Sequence, residues 1–208
     1  MKVQLQVPSL TPSFLSAVTD WSYAEEDTTR SQRQVLGSKL EKELATITLP
    51  KVADGAIYRG INADTKTIHA SLKSGRVKLD TRAYASWSRD SDCVSRFVDE
   101  QGLILQSSVS KIKPLVDLDN ITTIIYKDPT LRSKYNDLMM LLDSEKEIVS
   151  KGAVTNYKIV GIIYTSEEID GVLDDAGIEI RECLSTGNTY FLFEDVEGDT
   201  LKECLDLL

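Results

Sequence analysis

Gly102-Leu103-Ile104-Leu105, then Leu115-Val116-Asp117-Leu118, then Ile121-Thr122-Thr123-Ile124-Ile125-Tyr126 form a series of short apolar runs between polar turns. Runs of this length, rich in β-branched and aliphatic residues, predict strands. Toward the C-terminus the β pattern continues through Glu147-Ile148-Val149 and Tyr157–Tyr164. It resumes in Ile178–Leu184 and Tyr190–Glu194, around the hairpin-like Thr186-Gly187-Asn188. Toward the N-terminus the period changes. Leu36, Leu40 and Leu44 recur every four positions with Val35 beside them, which predicts an amphipathic helix over about Thr29–Ala45. Ala56–Ile61 reads as a strand, Leu79–Ser86 as an extended segment, and Ser88–Glu100 as a helix capped by Ser88 or Asp90. Leu131–Leu142 reads as a further helix, and residues 8–28 as mixed and polar. Helices early and strands late predict an α+β fold rather than a regular βαβ repeat.

The chain has 208 residues, 41% hydrophobic and 27% charged, with a formal net charge of −9. That composition excludes an acidic disordered tail and leaves ample length for a core. The acidic balance argues against direct binding to nucleic acid or to an anionic membrane, which needs basic clusters. No repeat, low-complexity tract or linker interrupts the chain. The expectation is one domain over residues 1–208, with 1–28 as an extension and 165–208 as C-terminal strands or tail, completing the fold or recognising a target. The first residues lack a signal-like apolar run, and Ile159–Tyr164 is too short to cross a bilayer, so a cytoplasmic monomer is expected.

His69 is the single histidine, and it falls in a polar, turn-like stretch, Asn62–Ser74. A histidine-based triad would have to be built on it. The cysteines, Cys93, Cys183 and Cys204, show no metal-ligand spacing, so no metal is expected, while a Cys183–Cys204 bridge stays open. Neither a G-x-G-x-x-G nor a G-x-x-x-x-G-K-[ST] motif is present.

Three short features carry chemistry. In Tyr58-Arg59-Gly60 an arginine sits within an apolar strand, where it either faces water or meets an anion, and the following glycine permits close approach to the backbone. In Tyr84-Ala85-Ser86-Trp87-Ser88 the two hydroxyls share one side of an extended segment, while Trp87 points the other way. The serines hold a carboxylate or ligand there, or simply end a strand. In Glu145-Lys146-Glu147, period two places both carboxylates on one side of a strand start, where they repel unless solvent or a cation compensates.

The order of these features, from Arg59 through Ser86-x-Ser88 to Glu145-x-Glu147, resembles the mono-ADP-ribosyltransferases, in the branch marked by Arg, Ser-x-Ser and Glu-x-Glu. Within that branch it looks most like the small phage-encoded enzymes. The resemblance runs from about Thr29 to Tyr164. Trp87 stands where the family has a threonine, and the family's proline before the glycine at Gly152 is missing.

The resemblance implies a split β-sandwich with N-terminal helices and NAD⁺ as substrate. It assigns Arg59 to the NAD⁺ phosphates and ribose, and the backbone of Gly60 to the nicotinamide carboxamide. Ser86 would orient Glu147, Ser88 would support the strand, and Trp87 would flank the nicotinamide. Glu147 would bind the ribose 2′-hydroxyl and stabilise the oxocarbenium-like transition state, a role carboxylates play in glycosidases. Glu145 would hold an acceptor arginine and take its proton, with Leu138–Ser144 as the acceptor loop. The implied partners are host proteins with accessible arginines, among them transcription or translation components. An NAD⁺ glycohydrolase and a non-catalytic acidic protein that binds a basic host factor are the alternatives.

Overall fold

Thr11 and Pro12 open the first helix of the computed structural model, which describes residues 9–24, 28–79, 83–152, 154–182 and 189–208. Along the chain come α1 (Pro12–Ser22), α2 (Arg30–Leu44), β1 (Ala56–Asn62), α3 (Thr65–Ser74), β2 (Tyr84–Ser88) and the single turn α4 (Ser91–Val94). Next are β3 (Gly102–Ser108), β4 (Pro114–Asp117), α5 (Leu118–Lys127), α6 (Pro129–Lys134), α7 (Asn136–Glu145) and β5 (Glu147–Lys151). The chain closes with β6 (Lys158–Tyr164), α8 (Glu167–Asp175), β7 (Arg181–Glu182), β8 (Thr189–Leu192) and α9 (Gly198–Leu207). The fold is α+β.

Two helices correct the sequence reading. Residues 8–28 contain α1, whose start is signalled by proline at its first turn and by the Thr11 hydroxyl accepting from Phe14 N at 3.2 Å. Phe14, Leu15, Val18 and Trp21 follow one buried stripe, and such burial contributes about 1.5–3 kcal/mol per large side chain. The expected strand Ile121–Tyr126 is helical, within α5. Its β-branched residues favour a strand, but Leu118, Ile121, Ile124 and Ile125 form a buried helical face and Asp117 caps the start. Burial of that face overrides the weak local propensity.

Smaller corrections follow the same logic. The predicted helix Leu131–Leu142 is two helices, α6 and α7, meeting at Tyr135. The helix expected over Ser88–Glu100 is α4 plus a 3₁₀ turn at Ser95–Phe97, and Asp90 rather than Ser88 caps it. His69 lies on α3, with its Nε2 2.9 Å from the Leu205 carbonyl. Helices also occupy the C-terminal part, as α8 and α9, so the early-helix, late-strand division does not hold. Cys183 and the turn at Thr186-Gly187-Asn188 lie outside the described residues, as do 1–8, 25–27, 80–82 and 153. Cys204 carries a free, buried thiol.

The chain divides into two compact units. The first draws on the described parts of 1–54, 81–86 and 112–153. Here β4 and β5 run antiparallel, with Val116 opposite Val149 and Asp117 opposite Ile148. The first half of β2 joins β5, since Gly152 N donates to the Ala83 carbonyl at 2.7 Å and the Ser150 hydroxyl to Ala85 at 3.3 Å. Phe14, Trp21, Leu40, Ile121, Leu138, Leu142 and Val149 share one core. Gly37 of α2 lies flat against the Tyr84 ring, where an added Cβ would come within 2.3 Å, and so sets the spacing of α2 and β2.

The second unit draws on the described parts of 55–80, 87–111 and 154–208. In it β1 pairs with β3 along its length, and Tyr58 pairs with Ser88 at the end of β2. Antiparallel ladders then join β3 to β6, β6 to β8, and β8 to β7. Alternation along β3 buries both faces of this sheet. Leu103 and Leu105 meet Ile68, Ile169, Leu173 and Cys204 from the helices, whereas Ile104 meets Val94, Val98 and Tyr190.

Gly60 of β1 is fixed by packing. A Cβ there would stand 2.4 Å from the Val94 carbonyl oxygen and 2.9 Å from Val98 Cγ2. Because the nearest atom is backbone, the strand or α4 would have to move. Gly60→Ala is expected to cost about 1–3 kcal/mol, read as a lowered urea midpoint.

Candidate active site

The two carboxylates of Glu145-Lys146-Glu147 do not sit side by side on a strand, as period two predicts. Glu145 is the last residue of α7 and Glu147 the first of β5. Lys146 joins them in the left-handed conformation, φ 45°, ψ 45°, with its amide donating to the Leu142 carbonyl. A helix C-terminus thus turns straight into a strand through a residue with no intrinsic preference for that backbone region. The result is an asymmetric pair. Glu145 is half-buried and Lys146 exposed, while Glu147 is 6% exposed and ranks with the core. Leu138–Ser144, the expected acceptor loop, is helical throughout, and its Leu138 and Leu142 are buried.

Glu147 is held from three elements of the first unit. The Ser86 hydroxyl of β2 hydrogen-bonds its carboxylate. The Trp21 indole Nε1–H of α1 donates to Glu147 Oε1 at 2.9 Å, in a fully buried contact. Arg33 of α2 adds a positive charge. Burial pushes the Glu147 carboxyl above the ordinary glutamate range, and the bonds from Ser86 and Trp21 and the charge of Arg33 pull it partly back. Trp21 is a site residue that the sequence reading missed. Its helix begins at the Thr11-Pro12 cap, but no local feature of the sequence marks Trp21 for the site.

β2 is in turn tied to α2 at its first residue. The Tyr84 hydroxyl donates to Glu41 Oε2 at 2.6 Å, and Lys151 Nζ donates to both Glu41 oxygens at 2.6 and 2.8 Å. These contacts fix the strand bearing Ser86 and the strand bearing Glu147 to the same helix. They also hold the Glu41 carboxyl below its usual value, Lys151 contributing most.

The remaining sequence-derived residues belong to the second unit. Arg59 is half-buried on β1, opposite Leu105 of β3. Gly60 follows it, packed on Val94. Ser88 is buried and accepts from Asp90 N at 3.0 Å, so its hydroxyl also shapes the turn into α4. Trp87 is 1% exposed, and its buried indole Nε1 has no hydrogen-bond partner. Among the described residues, no group of three or more His, Cys, Asp or Glu side chains is placed to hold a metal ion, and no helix is long and apolar enough to cross a membrane. Comparison of the chain with family models, curated proteins and solved structures gave no match.

The raised Glu147 carboxyl makes a stability prediction. A folded-state value above the unfolded one, about 4.3, contributes stability that is complete below the unfolded value and is lost as pH rises through the folded value. Charged Glu147 therefore costs stability near neutral pH. Glu147→Gln, a neutral isostere, is expected to melt at higher temperature than the wild type at pH 7. In thermal scans across pH the advantage should vanish below the ordinary glutamate range.

Proposed function

We propose that the protein is an NAD⁺-dependent mono-ADP-ribosyltransferase acting on arginine side chains, built on a split β-sandwich of that family's kind. The observation that carries this reading is the buried Glu147 carboxylate hydrogen-bonded by Ser86, the first serine of Ser-x-Ser meeting the second glutamate of Glu-x-Glu. A carboxylate that has lost water and retains two neutral donors is preorganised to face positive charge, and such fixed electrostatics supply large transition-state stabilisation.

In this mechanism Arg59 pairs with the NAD⁺ phosphates, where a guanidinium can donate bidentately. By the family resemblance the Gly60 backbone would contact the carboxamide and Ser88 would support the strand; Trp87, which the resemblance sets beside the nicotinamide, is 1% exposed. The bond between ribose C1′ and the nicotinamide nitrogen breaks, its electron pair leaving with nicotinamide. Glu147, bonded to the 2′-hydroxyl, stabilises the oxocarbenium-like ribose. A guanidinium nitrogen of the acceptor then forms the new bond to C1′, and Glu145 takes the proton that this nitrogen loses. The acceptor guanidine is protonated at physiological pH, so a carboxylate that both pairs with it and removes a proton suits the step. No step uses a metal or a histidine. The proposed setting is a host cytoplasm, with basic arginine-bearing proteins as targets.

The purified chain is expected to release nicotinamide from NAD⁺ and to modify free arginine or an arginine-bearing protein. Nicotinamide release with no labelled acceptor in any lysate would favour a glycohydrolase. No NAD⁺ binding by calorimetry would remove both enzymatic readings and leave the acidic binding protein.

A further inference from the structure

We propose that Trp21 is a positioning residue for Glu147: its indole N–H, set by Arg33, holds the carboxylate in one orientation for the reaction. The inference rests on the transferase reading for its catalytic part, and on geometry for the contact itself.

The contact is unlike ordinary core packing. Trp21 is 2% exposed and Glu147 6%, they are 126 positions apart in sequence, and the indole nitrogen lies 2.9 Å from Oε1. An indole nitrogen donates and never accepts, so burial favours giving it an acceptor; for Trp21 the acceptor is a carboxylate oxygen, whereas the buried Trp87 indole has none. A hydrogen bond to a charged acceptor is stronger and more directional than one to a neutral group.

Arg33 fixes the donor itself. Its guanidinium carbon lies 5.4 Å from the centre of the Trp21 ring. Its Nη1 donates to the Trp21 carbonyl at 3.3 Å and its Nη2 to the Ala24 carbonyl at 3.1 Å. The Trp21 carbonyl lies in the last turn of α1 and the Ala24 carbonyl just beyond its C-cap, Tyr23, where backbone acceptors outnumber intrahelical donors. One arginine thus closes the helix end, stacks on the ring and places positive charge near the carboxylate. Ser86 on β2, Trp21 on α1 and Arg33 on α2 are the groups that act on Glu147.

The test is Trp21→Phe, which keeps an aromatic ring beside Arg33 and removes the donor. Replacing Trp21 by 3-benzothienylalanine, which puts sulfur in place of N–H at nearly constant shape, serves if the phenylalanine variant does not fold. The first readout does not need activity. In a double-mutant cycle with Glu147→Gln, followed by urea unfolding, Trp21→Phe should cost more in the wild type than in the Glu147→Gln background at pH 7, and the difference should close as pH falls. The second is NAD⁺ cleavage, where kcat should drop roughly tenfold, KM should hold, and the acid limb of the pH–rate profile should move to higher pH. Equal costs in both backgrounds would overturn the proposal. Coupling in stability with unchanged kcat and pH profile would also overturn it, leaving a purely structural bond. A wild type that binds no NAD⁺ would overturn the catalytic role through the transferase reading, while the stability cycle would still report the contact.

Discussion

Glu147→Ala is expected to lower NAD⁺ cleavage by roughly 100- to 1000-fold, the range seen when one preorganised electrostatic group is removed from a transition state. The size follows from the position of the side chain. Glu147 is buried, accepts hydrogen bonds from Ser86 and Trp21, and feels the charge of Arg33. On the transferase reading, alanine removes the charge that would stabilise the developing positive ribose. The substitution also strips both donors of their acceptor, so the loss should be separated from misfolding by circular dichroism and by Glu147→Gln. That variant keeps an acceptor, should be at least as stable near neutral pH, and should remain inactive. Steady-state nicotinamide release checks the expectation. A stable Glu147→Gln with wild-type turnover would remove Glu147 from the chemistry.

Glu145→Gln is expected to separate the two half-reactions. Transfer to arginine should fall by about 100-fold, the lower range for loss of a general base, while hydrolysis of NAD⁺ to ADP-ribose should largely persist. The basis is the asymmetry of the pair: Glu145 ends α7, half-buried, whereas Glu147 is inside the core after the left-handed Lys146. Two carboxylates in such different environments can carry different tasks, as paired carboxylates do in glycosidases. Parallel assays of nicotinamide release and of label on an arginine acceptor check this. Equal loss in both assays would mean that Glu145 supports Glu147 rather than the acceptor.

The elements that carry the candidate residues were partly legible in the sequence, because their signals are local. The strand β1 was visible from the apolar run Ala56–Ile61, and α2 from its leucine spacing; the reciprocal cap that Thr29 and Gln32 form at the start of α2 is a finding of the structure. The bond between Ser86 and Glu147 entered through the family resemblance, since no local rule links residues so far apart. Trp21 was not legible for the same reason: it reaches Glu147 only through the packing of α1 in the first unit. The separation of Glu145 from Glu147 was hidden by Lys146, because lysine gives no signal for a positive φ. α5 was misread because its isoleucines and threonines suit a strand locally, and burial of one helical face decided the outcome.

The acidic charge of −9 fits the proposed targets, since a negative surface speeds encounter with basic, arginine-bearing proteins. The central claim concerns the bond that is made, and labelling addresses it most directly. The purified protein is incubated with labelled NAD⁺ and a bacterial lysate, and the labelled peptides are sequenced by mass spectrometry. The transferase reading predicts ADP-ribose on arginine side chains, with labelling lost in Glu147→Ala. Equal labelling by the wild type and Glu147→Ala, or no consumption of NAD⁺ by the wild type, would contradict it.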